Sequence, residues 1–75
     1  MTRLDLLRPT QTAVVASVQG VAGVVQRLMA RGILPGVRVE LTRQAPLGGP
    51  IAIRLHGYEL SLRRCDAAGV AVQVA

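Results

Sequence analysis

Between Val37 and Val74, apolar side chains fall on every second position in four consecutive runs. Val37, Val39 and Leu41 alternate with Arg38, Glu40 and Thr42. Ile51, Ile53 and Leu55 alternate with Ala52, Arg54 and His56. Tyr58, Leu60 and Leu62 alternate with Glu59, Ser61 and Arg63, and Val70, Val72 and Val74 alternate with Ala71, Gln73 and Ala75. A period of two places one set of side chains on each face of a pleated strand, so each run predicts a strand buried on one face. The runs are separated by Pro46-Leu47-Gly48-Gly49-Pro50, by Gly57, and by residues 65–69. A lone glycine between two alternating runs predicts a tight hairpin. Residues 65–68 are enough for one helical turn.

Upstream, residues 12–18 (TAVVASV) are apolar and β-branched and predict a first strand, ended by Gln19-Gly20. From Val21 the period lengthens. Val21, Val24, Val25, Leu28 and Met29 fall at i, i+3, i+4, i+7 and i+8, the apolar stripe of an amphipathic helix, and the stripe is expected to face the core. Arg27 and Arg31 sit near its C-terminus, where cations oppose the negative end of the dipole. Gly32 is placed to supply a left-handed residue just past the end, and Pro35 prevents continuation.

Together these elements predict a mainly β chain forming one domain over residues 1–75. Five short antiparallel strands with a common apolar face must curl to cover it, and curling also removes exposed edges. The expected architecture is a small, partly open SH3-like β-barrel, with one short α-helix after the first strand and a helical turn before the last.

Composition narrows this picture. The chain is 51% apolar with a single aromatic residue, Tyr58, so the core must be aliphatic. Net charge is +5, and all nine cations are arginines. An arginine fork suits carboxylates or phosphates, although a GC-rich coding bias would yield the same set. Arg63-Arg64, with Arg54 and Arg38, are candidates for a basic patch facing an acidic protein surface or anionic lipid. The alternative is ordinary solubilising surface. Nucleic acid is the other possible anion. Single-strand binders stack bases on aromatic rings, and one tyrosine is a poor platform for that. The one cysteine, Cys65, cannot form an internal disulfide, which fits a cytoplasmic location. No apolar run approaches the 18 or so residues of a membrane span, and the N-terminus lacks the apolar stretch of a secretory signal.

Candidate chemistry is sparse. His56, Cys65, Ser17, Ser61 and the four acids (Asp5, Glu40, Glu59 and Asp66) form no recognised nucleophile motif. His56 should face solvent from its strand, and Cys65 should be a half-buried thiol. No CxxC, HxxxH, acidic cluster or GxxxxGK[ST] loop is present. The reading calls for no enzyme activity, no cofactor, no metal site and no small-molecule substrate. Residues 46–50 stand out instead. Their glycines shape an exposed loop, and their prolines lower the entropy lost when such a loop is held for docking. Exposed aliphatic surface elsewhere would mark docking or self-association.

Three blocks carry a family pattern. They are Arg27-Leu28 with Gly32-Ile33 and Pro35-Gly36; Ala45-Pro46-Leu47-Gly48-Gly49-Pro50-Ile51; and Leu60-Ser61-Leu62-Arg63-Arg64 followed by Asp66-Ala67. In this order and spacing the chain resembles the FeoA family from about Leu4 to Val74. It departs from the family's pattern at Gly49, where aspartate is usual, at Asp66, where glutamate is usual, at Arg31, a position often held by leucine, and at Thr10-Gln11 in place of a glycine. The resemblance implies an SH3-like barrel and an accessory or regulatory role in bacterial ferrous iron uptake. The implied partner is the cytosolic GTP-binding part of a FeoB-type membrane transporter. Pro46, Leu47, Gly48, Gly49, Pro50, Arg63 and Arg64 are the candidate partner-binding residues. A small nucleic-acid-binding barrel is the alternative.

Overall fold

A computed structural model describes residues 1–75. The chain runs β1 (Thr2–Arg3), a 3-10 turn (Leu4–Leu6), β2 (Thr12–Val18), α1 (Ala22–Ala30), β3 (Arg38–Gln44), β4 (Ile51–Leu55), β5 (Tyr58–Leu62), α2 (Arg64–Ala67) and β6 (Val70–Val74). All strand pairs are antiparallel, in the order β1-β6-β2-β3-β4-β5. The architecture is the expected SH3-like barrel, with six strands instead of about five. The extra one, β1, is two residues long, too short to show any alternation.

Two bulges let one sheet wrap around its own face. The β2–β6 register shifts between Val15 and Ser17, and the β3–β4 register shifts between Leu41 and Arg43. An extra residue on one strand bends it and raises its local twist. The wrapped face buries Val15 of β2 together with Val39, Leu41, Ile51, Ile53, Leu55, Leu62, Val70 and Val72, which are in-facing members of the alternating runs. Leu4 and Leu7, from outside any periodic run, complete this core. β1 and β5 do not pair with each other, so both ends of the sheet remain edges and the barrel is partly open.

The end of α1 follows from its sequence. Gly32 has φ +99°, the Gly32 N–H donates to Met29 O at 3.0 Å, and the Ile33 N–H donates to Leu28 O at 3.1 Å. This double bond pattern around a left-handed glycine is a Schellman cap, and its apolar pair, Leu28 and Ile33, is buried in the core. The helical stripe does not behave as expected. Only Leu28 is fully buried and Val24 packs against the core, while Val21 and Met29 are exposed. A two-turn helix resting on the rim of an already filled barrel has room to bury one side chain per turn. No helix is long and apolar enough to cross a membrane.

Candidate partner-docking surface

The β3–β4 connection is built from its own sequence. The Ala45 N–H donates to Pro50 O at 2.9 Å, which closes the base, and the Gly49 N–H donates to Pro46 O at 3.2 Å across the tip. Leu47 (φ 60°) and Gly48 (φ 75°) form the tip in consecutive left-handed conformations. Glycine adopts that region freely, whereas leucine sits there at a cost of roughly 1–2 kcal/mol. Leu47 is also fully exposed, at 104%. A strained aliphatic side chain held out in water gains nothing within this fold and is available to a partner. At Gly49 a β-carbon would approach Ala45 Cβ to 2.7 Å and Pro46 O to 3.3 Å. A side chain at this position would have to displace Ala45 or the loop backbone.

Arg63 and Arg64 are adjacent in sequence but differ in setting. The exposed Arg63 directs its Nε to Asp66 Oδ2 at 3.3 Å. Arg64 is half-buried and reaches two backbone carbonyls far away in sequence, Asp5 O at 3.4 Å and Ala45 O at 3.5 Å. It therefore clasps the N-terminal turn, the base of the β3–β4 loop and α2 together. The fold does not gather the candidate patch of Arg63, Arg64, Arg54 and Arg38 into one surface. Arg54 lies opposite Glu59 in the β4–β5 register, while Arg63 follows Leu62 at the far end of that hairpin. Arg38 and Arg54 line one groove with Glu40 and His56, and Arg63 lines another with Arg27 and Arg31.

Residues singled out for chemistry stay apart. His56 is not a strand residue. With φ 51° it forms, together with Gly57 (φ 80°), the two-residue turn between β4 and β5. Cys65 lies on α2, beyond the opposite end of β5, and is exposed instead of half-buried, because a single helical turn leaves that side of α2 uncovered. Its Sγ lies 3.8 Å from Asp66 Oδ1. No three His, Cys, Asp or Glu side chains come together. The only aromatic residue is already engaged. The Tyr58 hydroxyl donates to Arg31 O, and its ring stacks on His56 with centroids 6.5 Å apart.

One acid is electrostatically perturbed. Glu59 is held below its ordinary carboxylate value, chiefly by the Thr42 hydroxyl, which lies 2.8 Å from Oε2, and then by the Arg43 guanidinium at 2.8 Å from Oε1. Thr42 is the extra residue of the β3 bulge, and its hydroxyl also meets Ala52 O at 3.1 Å. Sequence reasoning missed this cross-strand cluster, because the alternating pattern carries no information about where a bulge falls.

Comparison with known proteins agrees with this fold. The family model described as the FeoA domain matches residues 2–74. A curated relative from Porphyromonas gingivalis, an Fe(2+) transport protein A/Fe(2+) transporter FeoB fusion protein, is 33% identical over 72 residues. That match takes in 96% of this chain and spans only 8% of the fusion. The solution structure of the FeoA protein from Chlorobium tepidum superposes with a TM-score of 0.90 at 36% identity, covering 97% of this chain and 70% of that one. A Stenotrophomonas maltophilia FeoA solved with zinc, described as a prokaryotic SH3 domain protein, gives a TM-score of 0.85 at 27% identity, covering 97% and 91%. With a family model spanning nearly every residue and a barrel shared with these structures, the chain belongs to the FeoA family, a family involved in ferrous iron transport.

Proposed function

We propose that this chain is an accessory, regulatory subunit of ferrous iron uptake that docks on the cytosolic GTP-binding part of a FeoB-type transporter. The observation that carries this reading is the fusion relative, in which a segment similar to almost all of this chain shares one polypeptide with a FeoB transporter. Joining two modules by a linker turns their association into an intramolecular event at an effective concentration near the millimolar range. Such a fusion is advantageous when the modules work in contact. Contact between the modules needs a surface, and the β3–β4 loop supplies one. Leu47 provides an apolar anchor, and the two prolines limit the entropy lost on docking.

The test is direct. The cytosolic part of the transporter from the same cells should retain this chain in a pull-down. Leu47→Asp should weaken capture at least roughly tenfold, as expected when a desolvated anchor is replaced by a charge. Cells lacking the gene should grow poorly on limiting ferrous iron. Unchanged ferrous uptake after its removal would refute the proposal.

A further inference from the structure

We infer that the groove between α1 and β5 is a carboxylate-binding site that receives an acidic, extended segment of a partner protein. This deepens the docking reading above and rests on it. The groove encloses about 200 Å³. Arg27 and Arg31 line it from α1, Ser61 and Arg63 from the β5 side, and Leu28 and Leu62, both almost fully buried, form its floor.

Arg3, Arg43 and Arg54 each have a carboxylate of their own, Asp5, Glu59 and Glu40 respectively. Arg8, Arg38 and Arg64 lack a carboxylate partner, but no other groove gathers three arginines. In the groove three guanidiniums share one acid. Asp66 Oδ2 lies 3.3 Å from Arg63 Nε and 3.9 Å from Arg27 Nη2, and Arg31 pairs with no carboxylate. Two positive charges therefore remain uncompensated beside an apolar floor, where the field is screened less than over open water. Asp66 is recessed, its side chain 14% exposed, and it contacts Arg27 and Arg63, whose side chains stay largely exposed and open to a ligand. Arg31 follows Arg27 by four residues on the same helical face, and its backbone is pinned by the Tyr58 hydroxyl. A β-carbon on Gly32 would come within 3.1 Å of that hydroxyl, so the helix end and β5 are closely fitted.

The free edge of the sheet indicates an extended peptide and not a small anion. β5 hydrogen-bonds to β4 on one side only, and no loop or helix backbone bonds to the backbone groups of Tyr58–Leu62. An extended segment laid along that edge satisfies its backbone groups, rests apolar atoms on Leu28 and Leu62, and presents Asp or Glu side chains to the three arginines. Inorganic phosphate would use only the last of these features.

The test is an amide-resolved NMR titration of the full chain with hexaglutamate, with hexaglutamine and inorganic phosphate as comparison probes. Hexaglutamate should shift residues 27–31 and 58–64 in a saturable, salt-sensitive manner. Arg31→Glu should weaken binding roughly tenfold or more. Arg38→Glu, which changes net charge identically in a different groove, should leave it unchanged. Equal loss in both variants, an equal response to hexaglutamine, or phosphate shifting the same amides with equal affinity would each overturn the proposal. Capture of the transporter's cytosolic part is measured in parallel. If it is captured while hexaglutamate fails to bind, the groove assignment falls and docking stands; the opposite pair of results removes docking and leaves the groove.

Discussion

A β-carbon on Gly69 would overlap the backbone carbonyl oxygen of Gln19, next to where the Gln19 N–H donates to Gly69 O at 2.8 Å. Gln19 directly follows β2 and Gly69 directly precedes β6, and their hydrogen bond extends that pairing, so neither backbone yields without disturbing it. Gly69→Ala should therefore destabilise the fold by about 3 kcal/mol, the upper range for overpacking, as read from the denaturant midpoint. A substitution of the same size at Gly23, which has nothing within 4 Å, should stabilise α1 slightly, by about 0.5–1 kcal/mol. Glu59 gives a prediction with a sign. Its folded-state pKa is lowered, first by the Thr42 hydroxyl and then by Arg43, so the stabilisation is present at neutral pH and fades as pH falls through the folded value, below the ordinary 4.5. Thr42→Val should raise the Glu59 titration midpoint, followed by carboxyl NMR. It should also make the chain less stable at pH 7, with the difference from the parent shrinking in acid.

α1 and β5 show what an element discloses in advance and what it does not. The helix length, its glycine stop and the strand after each turn follow from local chemistry, and Gly32 and Gly57 sit where a left-handed residue is required. Which part of the helical stripe is buried depends on how far the barrel has already closed beneath it, and periodicity contains no record of that. Arg31 likewise reads as a C-terminal cation, and nothing local reveals that β5 brings Arg63 and Asp66 to the same groove. The fit between α1 and β5 can be tested alone. Gly32→Ala puts a β-carbon into a left-handed backbone and 3.1 Å from the Tyr58 hydroxyl, so it should cost about 1–2 kcal/mol. Tyr58 is the only aromatic fluorophore, so release of its hydroxyl from Arg31 O should change the intrinsic emission before the barrel itself unfolds. Emission and barrel signals that move together would show instead that α1 and the sheet open as one unit.

At the scale of the molecule, the barrel is completed by residues that no repeating pattern announces. The sheet does not close on itself, and the N-terminal 3-10 turn packs against β6 and α2 and sends Leu4 and Leu7 into the core. Arg3 grips Asp5 through two hydrogen bonds of 3.0 Å, and Arg64 reaches across to Asp5 O, so the turn carrying Leu4 and Leu7 is tied to α2. Both leucines are fully buried, whereas Leu6 between them points outward. A two-residue strand and a single 3-10 turn have almost no intrinsic stability, so the segment stays in place because those two side chains fill the core and the ion pair orients it. A chain of 75 residues has a stability toward the low end of roughly 5–15 kcal/mol. Each buried leucine truncated to alanine costs about 2–5 kcal/mol. Leu4→Ala or Leu7→Ala alone should leave a folded chain with a lowered melting temperature. The double variant should exceed the margin and lose amide dispersion at 25 °C, although every alternating strand is unchanged. A double variant that keeps a native spectrum would mean that the six strands close a sufficient core without the N-terminal plug.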